Sequence, residues 1–182
     1  MALLRATVAT LLLLVSAAPL AAQAARPSEY QVKAVFLFNF AQFVDWPAEA
    51  FADSRAPLVI GVLGEDPFGG FLDQTVSAER LGGRPFEVRR YRAVDEVAAC
   101  HILFINRPAG ERLDEVLASL RNRPILTVSD LDGFAKRGGM IRLLTDKGRI
   151  RLEVNLEAAQ AAHLTISSKL LRVAEVVTPA GR

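Results

Sequence analysis

Cysteine and histidine are nearly missing from this 182-residue chain, which carries one Cys and two His. A structural zinc site typically draws on four Cys or His ligands and an internal disulfide needs two thiols, so both kinds of scaffold are excluded, and no metal site or cofactor is expected. An excess of one charge is missing too. Lys and Arg total 22 against 20 Asp and Glu, and the basic residues are scattered rather than clustered, so nucleic acid is not an expected partner. What is abundant is apolar surface: 51% of residues are hydrophobic, which rules out an intrinsically disordered chain.

The first 24 residues stand apart. They hold no acid and one base, Arg5, followed by an apolar run from Ala6 to Val15, then Pro19 and a small-residue stretch ending Ala22-Gln23-Ala24. This is the pattern of a secretory signal peptide cleaved after Ala24. The apolar run falls short of the roughly 20 residues that span a bilayer, and no Cys follows it for lipid attachment. The remainder, Ala25 to Arg182, has the length of one exported domain, able to bury an ordinary core without staples.

Within it, Ser28-Glu29-Tyr30-Gln31 has the form of a capping box and opens a helix to about Val44, stopped by Trp46-Pro47. Pro57 to Gly64, 101 to 105 and Ile125 to Val128 are short continuous apolar runs that suit strands buried on both faces. Between the last two, Leu113, Val116, Leu117 and Leu120 mark one face of a helix. Phe86 to Tyr91 suits a more exposed strand. Met140 to Leu144 and Ile150 to Val154 flank Asp146-Lys147-Gly148, a hairpin signal. Asn155 is placed to cap a helix over Leu156 to Ala162, and Ser167 a last helix with the stripe Leu170, Leu171, Ala174 and Val177. The pattern predicts a single α/β domain: a mixed, mainly parallel sheet with flanking helices, ending in an antiparallel pair of strands.

Candidate chemistry is sparse. Gly64 to Phe71 follows a buried strand, where a phosphate loop would lie, but Gly70 and Phe71 stand where a Walker loop needs Lys and Ser or Thr, and Glu65 and Asp66 would repel phosphate. A turn capping the next helix and a loop for a small neutral or cationic ligand are the two readings left. Ser129-Asp130 sits where α/β sites often lie, and is equally a cap for a helix over Leu131 to Ala135. His101 lies in an expected strand and His163 at a helix end, neither inside a catalytic motif. Cys100 heads the apolar run and is expected as a buried thiol. No catalytic residue emerges, and the chain is not expected to be an enzyme.

The unusual feature is aromatic placement. Tyr30, Phe36, Phe38, Phe40, Phe43, Trp46 and Phe51 are seven of thirteen aromatics within 22 residues. The helix from Glu29 is apolar nearly all round and needs burial on most sides. The segment serves either as a central core helix or as an aromatic surface for a protein partner or apolar ligand, with Tyr30, Phe38, Phe43, Trp46 and Phe51 as candidate contacts.

Two segments together carry a resemblance. The first is Glu29-Tyr30, Lys33 to Leu37, Asn39-Phe40, Phe43 and Trp46-Pro47; the second is Gly138 to Ile141, Glu153 to Leu156, Ala159 and Leu164 to Leu171. In order and spacing, over about residues 29 to 177, the chain resembles the YfiR-like family of exported bacterial proteins. The resemblance implies a non-enzymatic periplasmic regulator that binds the periplasmic part of an inner-membrane signalling protein, a diguanylate cyclase or a sensor kinase. Repression of a cyclase would lower cyclic di-GMP, through tighter binding to the inactive arrangement. Intramolecular disulfide control of the kind known in the family is not expected of a chain with Cys100 alone, and intermolecular pairing is the alternative to a buried thiol. Arg151, Ser167, Ser168 and Lys169, beside or within the late motif, are candidates for a small-ligand or partner surface, and otherwise serve as caps and solvated charge. The alternative reading is a periplasmic small-molecule sensing domain; a homodimer is open under either.

Overall fold

The apolar runs bounded by Gly and Pro become the centre of a sheet. The computed structural model describes residues 27–106 and 112–179, and the expected signal peptide, 1–24, lies outside them. Chain order runs α1 (Glu29–Phe40), β1 (Val44–Asp45), β2 (Leu58–Leu63), α2 (Gly70–Val76), β3 (Arg80–Leu81), β4 (Arg84–Tyr91), β5 (Ile102–Ile105), α3 (Leu113–Ser119), β6 (Leu126–Ser129), β7 (Ile141–Asp146), β8 (Arg149–Val154), α4 (Leu156–Ala161), β9 (Thr165–Ile166), α5 (Ser168–Leu171) and β10 (Glu175–Val176). Strands β2, β5 and β6 are buried at every position, as strands covered on both faces must be.

The main sheet has the order β10-β8-β7-β6-β5-β2-β4-β3. Its inner pairs are parallel, and β7 with β8 and β3 with β4 are antiparallel. This is the mixed, mainly parallel α/β domain expected, with the antiparallel pair where the hairpin signal placed it. Lys147 and Gly148 both take positive φ, 48° and 74°, the backbone that a tight two-residue hairpin turn requires.

Alternation along the strands divides the core in two. Ile60, Val62, Ile102, Phe104, Leu126 and Val128 face one side, against Ala34, Leu37 and Phe40 of α1, Leu72 and Val76 of α2, and Ala159 beside them. Leu63, Leu103 and Ile105 face the other, against Leu113, Val116 and Leu120. Gly61 faces this second layer, where an added Cβ would stand 2.8 Å from Cys100, Leu103 and Tyr91, so only glycine lets these groups close.

The ends of three elements depart from the sequence expectation. Helix α1 stops at Phe40 rather than near Val44: Ala41, Gln42 and Phe43 donate three residues back, to Phe38, Asn39 and Phe40, tightening the last turn, and Val44 leaves as a strand. The last helix ends at Leu171, because Glu175 and Val176 pair with Glu153 and Val154 of β8 instead. No α-helix follows Ser129-Asp130. The Ser129 hydroxyl accepts from Leu131 N–H (3.2 Å) and donates to the Ile105 carbonyl (2.6 Å), and Gly133, at φ 70°, turns the chain into a short 3₁₀ segment, Ala135–Arg137.

Candidate functional site

The two segments that carry the resemblance lie about 120 residues apart in sequence and meet in space. Strands β1 and β9 form a separate two-stranded antiparallel sheet, with Val44 opposite Ile166 and Asp45 opposite Thr165. Ser167 N–H donates to the Phe43 carbonyl at 2.8 Å and extends the pairing by one residue. The Ser167 hydroxyl then accepts from Lys169 N–H at 3.3 Å and caps α5. The end of α1 and the start of α5 are thereby fixed side by side.

Between them lies a cleft of about 370 Å³. Phe36, Phe40 and Phe43 at helical spacing form one wall, Leu152 and Leu170 the floor, and Asn39, Lys169 and Arg172 stand with Val173 at the rim. Val173 is 72% exposed and Val176, on the edge strand beyond it, 51%. Val35, one turn before Asn39 on the same helical face, is 41% exposed. These three are the large hydrophobics left open among the described residues, and of them Val173 lines the cleft.

Of the sequence-predicted residues, Phe43 and Lys169 line this cleft and Ser167 holds it in place. Ser168 is exposed beside them. Arg151 is exposed on the sheet face opposite to its neighbour Leu152, paired with Asp146 at 2.9 Å, and does not join them. The other aromatics are half-buried in ring contacts elsewhere. Tyr30 meets Phe68 edge-on at 5.7 Å, Phe38 packs on Phe86 at 5.2 Å, and Phe51 stacks on His101 at 4.3 Å with the Arg84 guanidinium 4.0 Å above its other side. Trp46 donates its indole N–H to the His101 carbonyl at 3.2 Å. Sequence reasoning missed Asn39, Leu152, Arg172 and Val173 as site residues, and the one available signal was the polar Asn39 inside an apolar helix.

The groups that catalysis would recruit are occupied by the fold. His101 Nδ1 accepts from Val59 N–H (3.0 Å), so Nε2 carries the proton and donates to the Ala50 carbonyl (3.1 Å). Burial pushes the ring's pKa below its ordinary value. Burial also pushes the Cys100 thiol up to about 12, and Sγ lies 3.2 Å from the Ile102 carbonyl. Ser129 is fully buried. Among the described residues no group of three or more His, Cys, Asp and Glu side chains is placed to hold a metal ion, and no helix is long and apolar enough to cross a membrane.

A family model described as YfiR/HmsC-like matches residues 30–175. No curated protein matches the chain. Among solved structures, an ABC domain in complex with L-Trp from Streptococcus pneumonia is similar at 13% identity and a TM-score of 0.47, over 66% of this chain and 55% of that one. The chain thus spans about half the length of that structure.

Proposed function

The chain belongs to the YfiR/HmsC-like family, whose members are periplasmic regulators of cyclic di-GMP signalling, and from that premise we propose that it represses an inner-membrane diguanylate cyclase by binding the cyclase's periplasmic part. On this reading Met1 to Ala24 is the signal peptide that directs export and is removed after Ala24. A periplasmic domain cannot touch a cytosolic catalytic domain, so its effect on cyclic di-GMP is the difference between its affinities for the active and inactive arrangements of the cyclase. The observation that carries this reading is the cleft between α1 and α5. Its apolar walls, the exposed Val173 and the cations Lys169 and Arg172 at its rim suit an apolar segment flanked by acidic residues.

The test uses mature protein, Ala25 to Arg182, on solubilised inner membranes, with the captured proteins identified by mass spectrometry. Val173→Asp places a charge on the most exposed apolar residue of the cleft and leaves the core alone. Capture of the cyclase should fall at least about tenfold while the melting midpoint stays within about 2 °C. Undiminished capture by the variant would remove the cleft from the reading. A second reading, small-molecule sensing, draws support from the cleft's volume, which lies in the range of ligand pockets. Lys169, Asn39 and Arg172 would then hold the ligand's polar end, in competition with the partner.

A further inference from the structure

A second cavity, of about 340 Å³, opens beyond the C-terminal end of β6, the side of an α/β sheet where ligands commonly bind. The first turns of α1 contribute Glu29, Tyr30 and Lys33, the residue after β6 contributes Asp130, and Asp132 and Arg142 close the far side. Lys33 is 2% exposed, a rare state for lysine that requires a partner. Its Nζ donates to Asp130 Oδ2 (2.6 Å) and pairs with Glu29 (2.5 Å), and Tyr30 Oη also donates to Asp130 Oδ2 (3.0 Å). Burial alone would push the Lys33 ammonium down, but the bonds to Asp130 and Glu29 outweigh it and hold it charged.

Opposite, the Arg142 guanidinium meets Glu153 at 3.3 Å and, on its solvent side, Asp132. Two polar atoms in this assembly have no hydrogen-bond partner: Asp130 Oδ1 and Arg142 Nε. The Asp130 side chain is nine-tenths buried, and both residues line the cavity. A buried acceptor and a buried donor left unmatched are each costly, and folded proteins keep few of them. Asp132, whose side chain is 99% exposed, pairs with Arg142 from the solvent side only, and an exposed ion pair contributes little, so an entering ligand displaces it at small cost.

The charges state what fits. Four carboxylates, Glu29, Asp130, Asp132 and Glu153, surround two cations, Lys33 and Arg142, so the site is net negative and attracts a cation. We infer that this cavity is a binding site for a small organic amine carrying a neighbouring hydroxyl or carbonyl oxygen. The ammonium donates to Asp130 Oδ1, the adjacent oxygen accepts from Arg142 Nε, and the Tyr30 ring supplies an apolar side. The inference is independent of the cleft between α1 and α5.

Ethanolamine is the probe, with ethylamine, glycine and acetate as comparisons at matched pH and ionic strength. At ten times its Kd, ethanolamine should raise the melting midpoint of the mature protein by about 3–6 °C, and calorimetric titration should show one site. Ethylamine, which lacks the acceptor, should bind more weakly, and acetate should not bind. Arg142→Gln keeps a donor but displaces it, and should weaken ethanolamine at least about tenfold. Asp130→Asn leaves Lys33 short of a partner, so its binding is read only below its own melting midpoint, where loss of the ethanolamine response is expected. No response to ethanolamine, a response that survives Arg142→Gln, or tighter binding of glycine or acetate would each overturn the inference.

Discussion

At the scale of single residues, His101 is the group most sensitive to its surroundings. Its ring holds the 46–56 segment against the sheet through Ala50 and Phe51, and it does so only as a neutral imidazole, because Nδ1 must stay free to accept from Val59. A proton on Nδ1 would turn two donors toward each other and place charge near Arg84 and Arg89. Burial lowers the folded pKa below the ordinary value of 6.5, so the unfolded chain takes up the proton first. Stability is then fully present above about pH 6.5 and falls as the pH drops through that value toward the folded pKa, by at most about 1.4 kcal/mol per pH unit for one proton. Urea midpoints at pH 7.5 and 5.5 should show that loss, and His101→Gln should flatten it. An equal slope in the variant would assign the effect elsewhere. The carboxylates Glu29, Asp73 and Glu87 are held below their ordinary values by Lys33, Arg90 and Arg89, so they titrate beneath this window.

At the scale of elements, the β7–β8 hairpin offers a clean test of turn chemistry. Lys147 sits at φ 48°, a conformation that carries a steric cost for a side chain other than Gly or Asn. Lys147→Asn should raise the melting midpoint by about 1–2 °C, read by calorimetry, with no change elsewhere. The same scale explains what was legible in the sequence. Strands β2, β5 and β6 could be read because burial on both faces writes an unbroken apolar run, and the caps at Ser28, Asn155 and Ser167 because a side-chain oxygen before a helix has few other uses. Strands β1, β3, β9 and β10 are two residues each, too short to carry any period. The helical stripe through Ala174 and Val177 was real as spacing, but the open edge of β8 outcompeted it, as Val177 N–H donating to the Val154 carbonyl at 2.9 Å shows. The cleft was half legible: Phe43 and Lys169 belonged to recognisable segments, while Leu152 enters from the middle of a strand that nothing in the sequence places beside α1.

At the scale of the whole molecule, the fold divides into a sheet that local sequence largely specifies and a cleft that needs both ends of the chain. A chain ending at Leu164 keeps every central strand and loses β9, α5 and β10. It also loses the buried side chains of Ile166 and Leu170, which contribute about 3–6 kcal/mol between them. Such a fragment should show a correspondingly lower urea midpoint with far-UV circular dichroism still of α/β type, and should capture no partner. A fragment as stable as the full chain would place the C-terminal segment outside the cooperative unit.

The pairing of Val44 with Ile166 also sets an order in time. A chain made, or threaded through a membrane, from its amino end presents α1 early but cannot close the α1–α5 cleft until its last few turns have emerged. The closed cleft is therefore a property of chains that have reached β9 and α5. Nascent or prematurely terminated chains expose Phe43 and Val44 without the partner strand that covers them. A fold built this way completes the cleft last, and its incomplete copies leave Phe43 and Val44 without the strand that pairs beside them.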